Sequence, residues 1–94
     1  MLKIKRRGEF SALQDELCLE NSDLEQIIDQ RVKWFRRNPQ DTRLANHSLT
    51  GKMEGKWAFS ITDDIRIVYK WLGKTTVRFL VIGGHKRAYR RKSI

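Results

Sequence analysis

The sequence predicts an α+β domain in which a helical hairpin lies on a sheet, and three observations predict it. Residues 9–37 place apolar side chains at helical spacing, residues 57–82 place them at strand spacing, and 94 residues suffice for one core only. The whole chain, 1–94, is therefore read as a single domain. Hydrophobic residues make up 39% of it, three Trp among them, which is enough apolar surface to exclude wholesale disorder.

The elements follow in order. Met1-Leu2-Lys3-Ile4-Lys5-Arg6 alternates apolar and basic residues, as expected of a short edge strand protected by charge. Phe10, Leu13 and Leu17 then form one helical stripe, with Cys18 beside it as a small core residue. Asn21-Ser22 interrupts the pattern. Ser22 and Glu25 have the spacing of a capping box for a second helix, whose stripe is Leu24, Ile27, Ile28, Val32 and Phe35 and which Asn38-Pro39 ends. Residues 40–55 are polar and predict a connection. Trp57 to Thr62 and Ile67 to Trp71 alternate with period two, and Val77 to Ile82 is apolar on both faces, as in a strand inside a sheet, with Gly83-Gly84 at its end.

Side-chain faces select a register for the hairpin. A three-residue loop at Asp63-Asp64-Ile65 pairs Ile61 with Ile67, Phe59 with Tyr69 and Trp57 with Trp71, leaving Ser60, Thr62, Arg66 and Val68 on the opposite face. A two-residue loop would put Arg66 beside Ile61.

Composition narrows the function. One cysteine excludes an intrachain disulfide and suits a reducing cytoplasm. No run approaches the ~20 apolar residues of a membrane span, and the basic N-terminus lacks the apolar stretch of a signal peptide. One Cys and two His fall short of the four protein ligands that a structural zinc site normally needs, which nearly excludes one. Residues 8–30 hold seven acids and no base, whereas the rest of the chain holds twenty bases against four acids. A surface so lopsided attracts polyanions by counterion release, so nucleic acid is the expected partner.

Three segments can carry chemistry: His47-Ser48-Leu49-Thr50-Gly51, Asp63-Asp64-Ile65-Arg66, and the run from Gly83 through His85, Lys86, Arg87, Tyr89, Arg90, Arg91 and Lys92. Singly each has an ordinary explanation: an idle surface imidazole, a turn, a solvated basic tail. Together, two His, an Asp, several cations and a Tyr suit RNA cleavage without metal or cofactor. A base takes the 2′-OH proton, cations steady the phosphate, an acid protonates the leaving 5′-oxygen, and an aromatic ring stacks on a base.

The run Asn38-Pro39, Leu44, His47-x-Leu49-x-Gly51 and Gly55-x-Trp57, with Ile65-Arg66-Ile67-Val68-Tyr69 and Ile82-Gly83-Gly84-His85 followed by Tyr89, resembles the RelE/ParE superfamily of type II toxin–antitoxin toxins. The likeness is nearest the YafQ-like and RelE/StbE branch and spans nearly the whole chain. It implies two N-terminal helices on one face of a twisted, mostly antiparallel four-stranded sheet, and an mRNA-cleaving toxin of the ribosome, neutralised by a cognate antitoxin. By position, it implies that His47, Asp64, His85 and Tyr89 act in catalysis or substrate contact and that Arg66 binds the phosphate. Where YafQ-like toxins carry a further His, this chain has Ser60, which can donate a hydrogen bond but is a poor base at neutral pH. The proton work then falls on His47 and His85, and Lys52, Lys56, Lys86, Arg87, Arg90 and Arg91 extend a cationic RNA track. Arg66, His85 and Tyr89 are expected on the sheet face away from the helices. A ParE-like inhibitor of DNA gyrase and a decayed toxin that only binds RNA or antitoxin fit the same fold.

Overall fold

A computed structural model of the chain describes residues 1–84. Its elements run β1 (Lys3–Arg6), α1 (Gly8–Glu20), α2 (Leu24–Arg37), β2 (His47–Ser48), β3 (Trp57–Ser60), β4 (Ile65–Trp71) and β5 (Thr76–Gly84), with short 3-10 turns at Thr42–Leu44 and Gly51–Met53. The strands form one sheet in the order β1-β5-β4-β3-β2. β1 runs parallel to β5, and every other neighbouring pair is antiparallel. Two helices and a mostly antiparallel sheet are as predicted, but the strands number five rather than four. The added one is β2, inside the segment predicted as a polar connection. His47 and Ser48 have no apolar alternation to signal a strand; only their pairing with Ala58 and Trp57 makes them one.

The helices bury the stripes their sequences carry. Leu24, Ile28, Val32 and Phe35 of α2 and Phe10 and Leu13 of α1 are buried, with Leu17, Ile27 and Cys18 packed at the edge of the same core. Burial and nearby carboxylates push the Cys18 thiol up, so it stays a neutral packing group. The Ser22–Glu25 capping box does not form. Asp23 precedes α2 with helical backbone angles (φ −73°, ψ −18°), whereas a capping side chain needs an extended backbone. Instead Asn21 Oδ1 accepts from the Asp23 N–H at 3.1 Å. The α2 end is as expected: Asn38 turns extended (φ −155°), as the residue before Pro39 must.

The β3–β4 hairpin keeps the predicted faces but not the predicted partners. Trp57 pairs with Tyr69, Phe59 with Ile67 and Ser60 with Arg66, an offset of two residues that preserves the alternation. The loop is still three residues, but it is Thr62-Asp63-Asp64. The cause is Thr62, whose Oγ1 accepts from the N–H groups of Asp64 (3.2 Å) and Ile65 (3.0 Å) and closes the turn one residue early. Ile61 N–H then donates to Ile65 O at 2.8 Å.

β5 explains its own two-sided apolar run. The register shifts between Val68, opposite Val81, and Tyr69, opposite Phe79, so Leu80 is an extra residue. Val77, Phe79 and Ile82 consequently join the helix-side core, while Leu80 joins Ala58 and Val68 in a smaller cluster on the other face, covered by Leu49 and Met53. That face is thus not wholly open, as the sequence implied. β5 also runs on through Gly83 and Gly84, which pair with Arg66 and Ile65 instead of ending the strand. In the main core Phe35 stacks on Phe59 (centroids 4.3 Å apart, planes 7° apart), and Phe10, Tyr69 and Phe79 pack around them.

Candidate functional site

Cross-strand partners share a face, so His47, Ala58 and Val68 lie on the side away from the helices, as do Ser60 and Arg66. At the hairpin end of this face Arg66 Nη1 donates to Ser60 Oγ. Both side chains are half-buried. Asp64 sits two residues before Arg66 at the turn, and its carboxylate lies so close to Gly84 that a Cβ there would meet Oδ2 at 3.3 Å. His47 is exposed on the edge strand β2, two strand spacings from β4, or roughly 10 Å.

The segment before β2 fixes His47. Tyr69 is fully buried, yet its hydroxyl donates to Asn46 Oδ1 at 2.8 Å, and Asn46 Nδ2 donates to Pro39 O at 3.2 Å. Burial pushes the Tyr69 hydroxyl up to about 12, so it remains a donor. Ala45 is held in the left-handed region (φ 49°), and its carbonyl lies 2.9 Å from His47 Nδ1. A carbonyl only accepts, so Nδ1 carries the hydrogen of this bond, which leaves Nε2 as the ring nitrogen not engaged by Ala45.

Between the hairpin turn, α2 and the 39–45 segment opens a cleft of about 460 Å³, lined by Arg31, Trp34, Arg43, Ala45, Ser60, Ile61, Thr62, Asp63 and Arg66. Arg43 lies with its guanidinium carbon 3.6 Å from the Trp34 ring centroid, and Arg31 lies over the same indole at 4.4 Å. Both Asp41 oxygens engage Arg43, Oδ1 accepting from Nε at 3.0 Å and Oδ2 from Nη2 at 2.7 Å. These bonds, with a further one from the Arg43 N–H, hold the Asp41 carboxyl at about 2.

Of the residues expected in the site, Ser60 and Arg66 touch, Asp64 is at the same hairpin, and His47 shares their face. Lys52 and Lys56 do not line the cleft. They belong to the loop that folds over the small apolar cluster, where Leu49 N–H donates to Lys56 O at 2.9 Å. That loop's path requires left-handed glycines at Gly51 (φ 66°) and Gly55 (φ 89°). His85, Lys86, Arg87, Tyr89, Arg90, Arg91 and Lys92 lie outside the described residues, as does their expected face. Sequence reasoning missed Arg31, Trp34, Arg43 and Asn46. One signal was present: Trp34 stands seven residues after Ile27, at the edge of the apolar stripe of α2, where it packs only partly against the core and leaves ring surface for another partner. Among the described residues no group of three or more His, Cys, Asp or Glu is placed to hold a metal ion, and no helix is long and apolar enough to cross a membrane.

No protein-family model matches the chain, and no curated protein matches its sequence. Solved structures do. A copper-bound mutant toxin from Helicobacter pylori superimposes with a TM-score of 0.76 at 25% identity over 93% of this chain and 98% of that one. The YoeB/ParE toxin from Agrobacterium tumefaciens gives 0.72 at 20% identity over 89% and 99%. YafQ in the Escherichia coli DinJ-YafQ toxin–antitoxin complex gives 0.74 at 19% identity over 94% and 97%. The structure thus agrees with the resemblance carried by the sequence: the chain has the fold of RelE/ParE-type toxins of toxin–antitoxin systems.

Proposed function

We propose that the chain is the toxin of a type II toxin–antitoxin system and an endoribonuclease that cleaves mRNA on the ribosome without a metal ion. The observation that carries this reading is that His47, Ser60 and Arg66 share one face of the sheet, with His47 Nδ1 tied to a backbone carbonyl and Arg66 donating to the Ser60 hydroxyl. The fold shared with YafQ and YoeB/ParE toxins supports it.

In the reaction, the 2′-OH loses its proton to an imidazole, the 2′-oxygen bonds to phosphorus, and the P–O5′ bond breaks as a second group protonates the leaving oxygen. The products are a 2′,3′-cyclic phosphate and a 5′-OH end. His47 and His85 form the acid/base pair, Asp64 orients an imidazole, and Arg66, steadied by Ser60, neutralises the charge building on the phosphate. Tyr89 stacks on a base, and Lys52, Lys56, Lys86, Arg87, Arg90 and Arg91 hold the backbone. The partner that restrains this activity is a cognate antitoxin, which the DinJ-YafQ toxin–antitoxin complex supports; the basic surface of this chain calls for an acidic one. The test is cleavage of a reporter mRNA in a translating extract, with the new ends analysed chemically. Wild type gives 5′-OH and cyclic-phosphate ends, and Arg66→Ala loses about a hundredfold in rate with an unchanged melting temperature. Intact mRNA with wild type, or full activity of the variant, contradicts the reading.

A further inference from the structure

We propose that Arg43, backed by Trp34, is a stacking platform for a base of single-stranded RNA next to the phosphate held at Arg66. This rests on the reading above that the chain acts on RNA.

The guanidinium is fixed in three ways. Trp34 covers it at 3.6 Å, and its Nε and Nη2 edges are taken by the two Asp41 oxygens. Its side chain nevertheless remains 59% exposed and lines the cleft. A free arginine loses considerable rotamer freedom when it binds, and here that ordering has already occurred before any ligand arrives. More than half of the side chain is thus open while its guanidinium plane is held in place.

The chemistry of that surface selects the occupant. A phosphate needs free in-plane donors, but on this guanidinium Asp41 occupies those of Nε and Nη2 and offsets the charge, so phosphate binding in the cleft falls to the other arginines that line it, Arg31 and Arg66. A base needs a π-face, and guanidinium planes backed by aromatic rings supply one regardless of sequence. The volume, about 460 Å³, is in the range that takes one small ligand. Ser60 and Arg66 line the same cleft, so a base stacked on Arg43 belongs to a nucleotide flanking the bound phosphate.

The test is direct binding of the full chain to a fluorescent twelve-nucleotide single-stranded DNA, which lacks the 2′-OH and cannot be cut, at one fixed salt concentration. An abasic site is moved along the strand. Wild type is expected to show one position at which base removal weakens binding about tenfold. Arg43→Lys keeps the charge but not the plane. It is expected to weaken binding of the intact strand by a similar factor and to erase the penalty at that position, and Trp34→Leu is expected to act in the same direction. No abasic-sensitive position, no binding at all, or an Arg43→Lys variant that binds and discriminates like wild type would overturn the platform. Cleaved RNA with a failed platform leaves the nuclease reading standing. A confirmed platform on a chain that cuts no RNA removes the nuclease reading alone.

Discussion

The two faces of the sheet are built in opposite ways. On the helix side, Phe59, Ile67, Tyr69 and Phe79 are completely buried against Phe10, Ile28 and Phe35, and apolar packing is continuous. On the other side, three small-to-medium residues, Ala58, Val68 and Leu80, are buried under Leu49 and Met53, and toward the hairpin the surface gives way to Ser60 and Arg66. One face is continuous apolar core, and the other combines a small apolar cluster with half-buried polar groups that bond to one another. Substitutions should separate accordingly, with stability lost on the first face and the proposed RNA cleavage on the second.

The largest expected effect is on the helix side. Phe35→Ala removes the ring at the centre of the aromatic cluster, touching Phe59, Tyr69 and Phe79. It should cost about 3–5 kcal/mol in urea unfolding, a large share of the ~5–15 kcal/mol of a typical domain. A cost under about 1 kcal/mol would break the contrast between the faces.

Tyr69→Phe sharpens it, because this residue belongs to the core by its ring and to the site by its hydroxyl. Losing the bond to Asn46 leaves a half-buried acceptor unpaired, at about 1–3 kcal/mol. The 15N shifts of the His47 imidazole should change as the 39–47 segment loosens. Unchanged shifts would mean that Tyr69 serves the core alone.

Ala45→Gly should act in the other direction and weakly. The left-handed backbone at φ 49° costs a residue with a Cβ about 1–2 kcal/mol, most of which the greater freedom of an unfolded glycine cancels. A melting temperature raised by a degree or two is expected, and a fall would show that the Ala45 methyl makes a contact worth keeping.

The smallest effect is a titration. Asp41 is held near 2 by Arg43, below its ordinary 3.8, so the pair contributes fully above about pH 4 and is lost as pH falls toward 2. The Asp41 carboxyl carbon should titrate in that window by NMR. A midpoint near 4 would show that the bidentate pair is not formed in solution.

How much of this was legible in the sequence depended on what sets each feature. Periodicity fixes which face a residue takes, so the core stripes of α2 and β3 and the open-face position of Arg66 could be read directly. The offset of the hairpin could not, because shifting by two residues preserves every face, and the choice was made by one Thr62 hydroxyl. β2 and the Leu80 bulge were equally hidden, since both exist only through the neighbouring strand. Of the site, His47, Asp64 and Arg66 carried a motif. Arg43 and Asn46 acquire meaning only when the 39–46 segment folds back on α2 and β4, contacts that no local pattern encodes, and Trp34, signalled only by its place at the edge of the α2 stripe, gains its partner in the same way.

The most direct measurement is primer extension on a translated reporter mRNA minutes after brief induction of the protein, with Arg66→Ala as control. Reverse-transcription stops should appear within the translated region for the wild type and be absent for the variant. Growth arrest with intact transcripts, accompanied by loss of DNA supercoiling, would contradict the nuclease reading and point to a gyrase-directed toxin on the same fold.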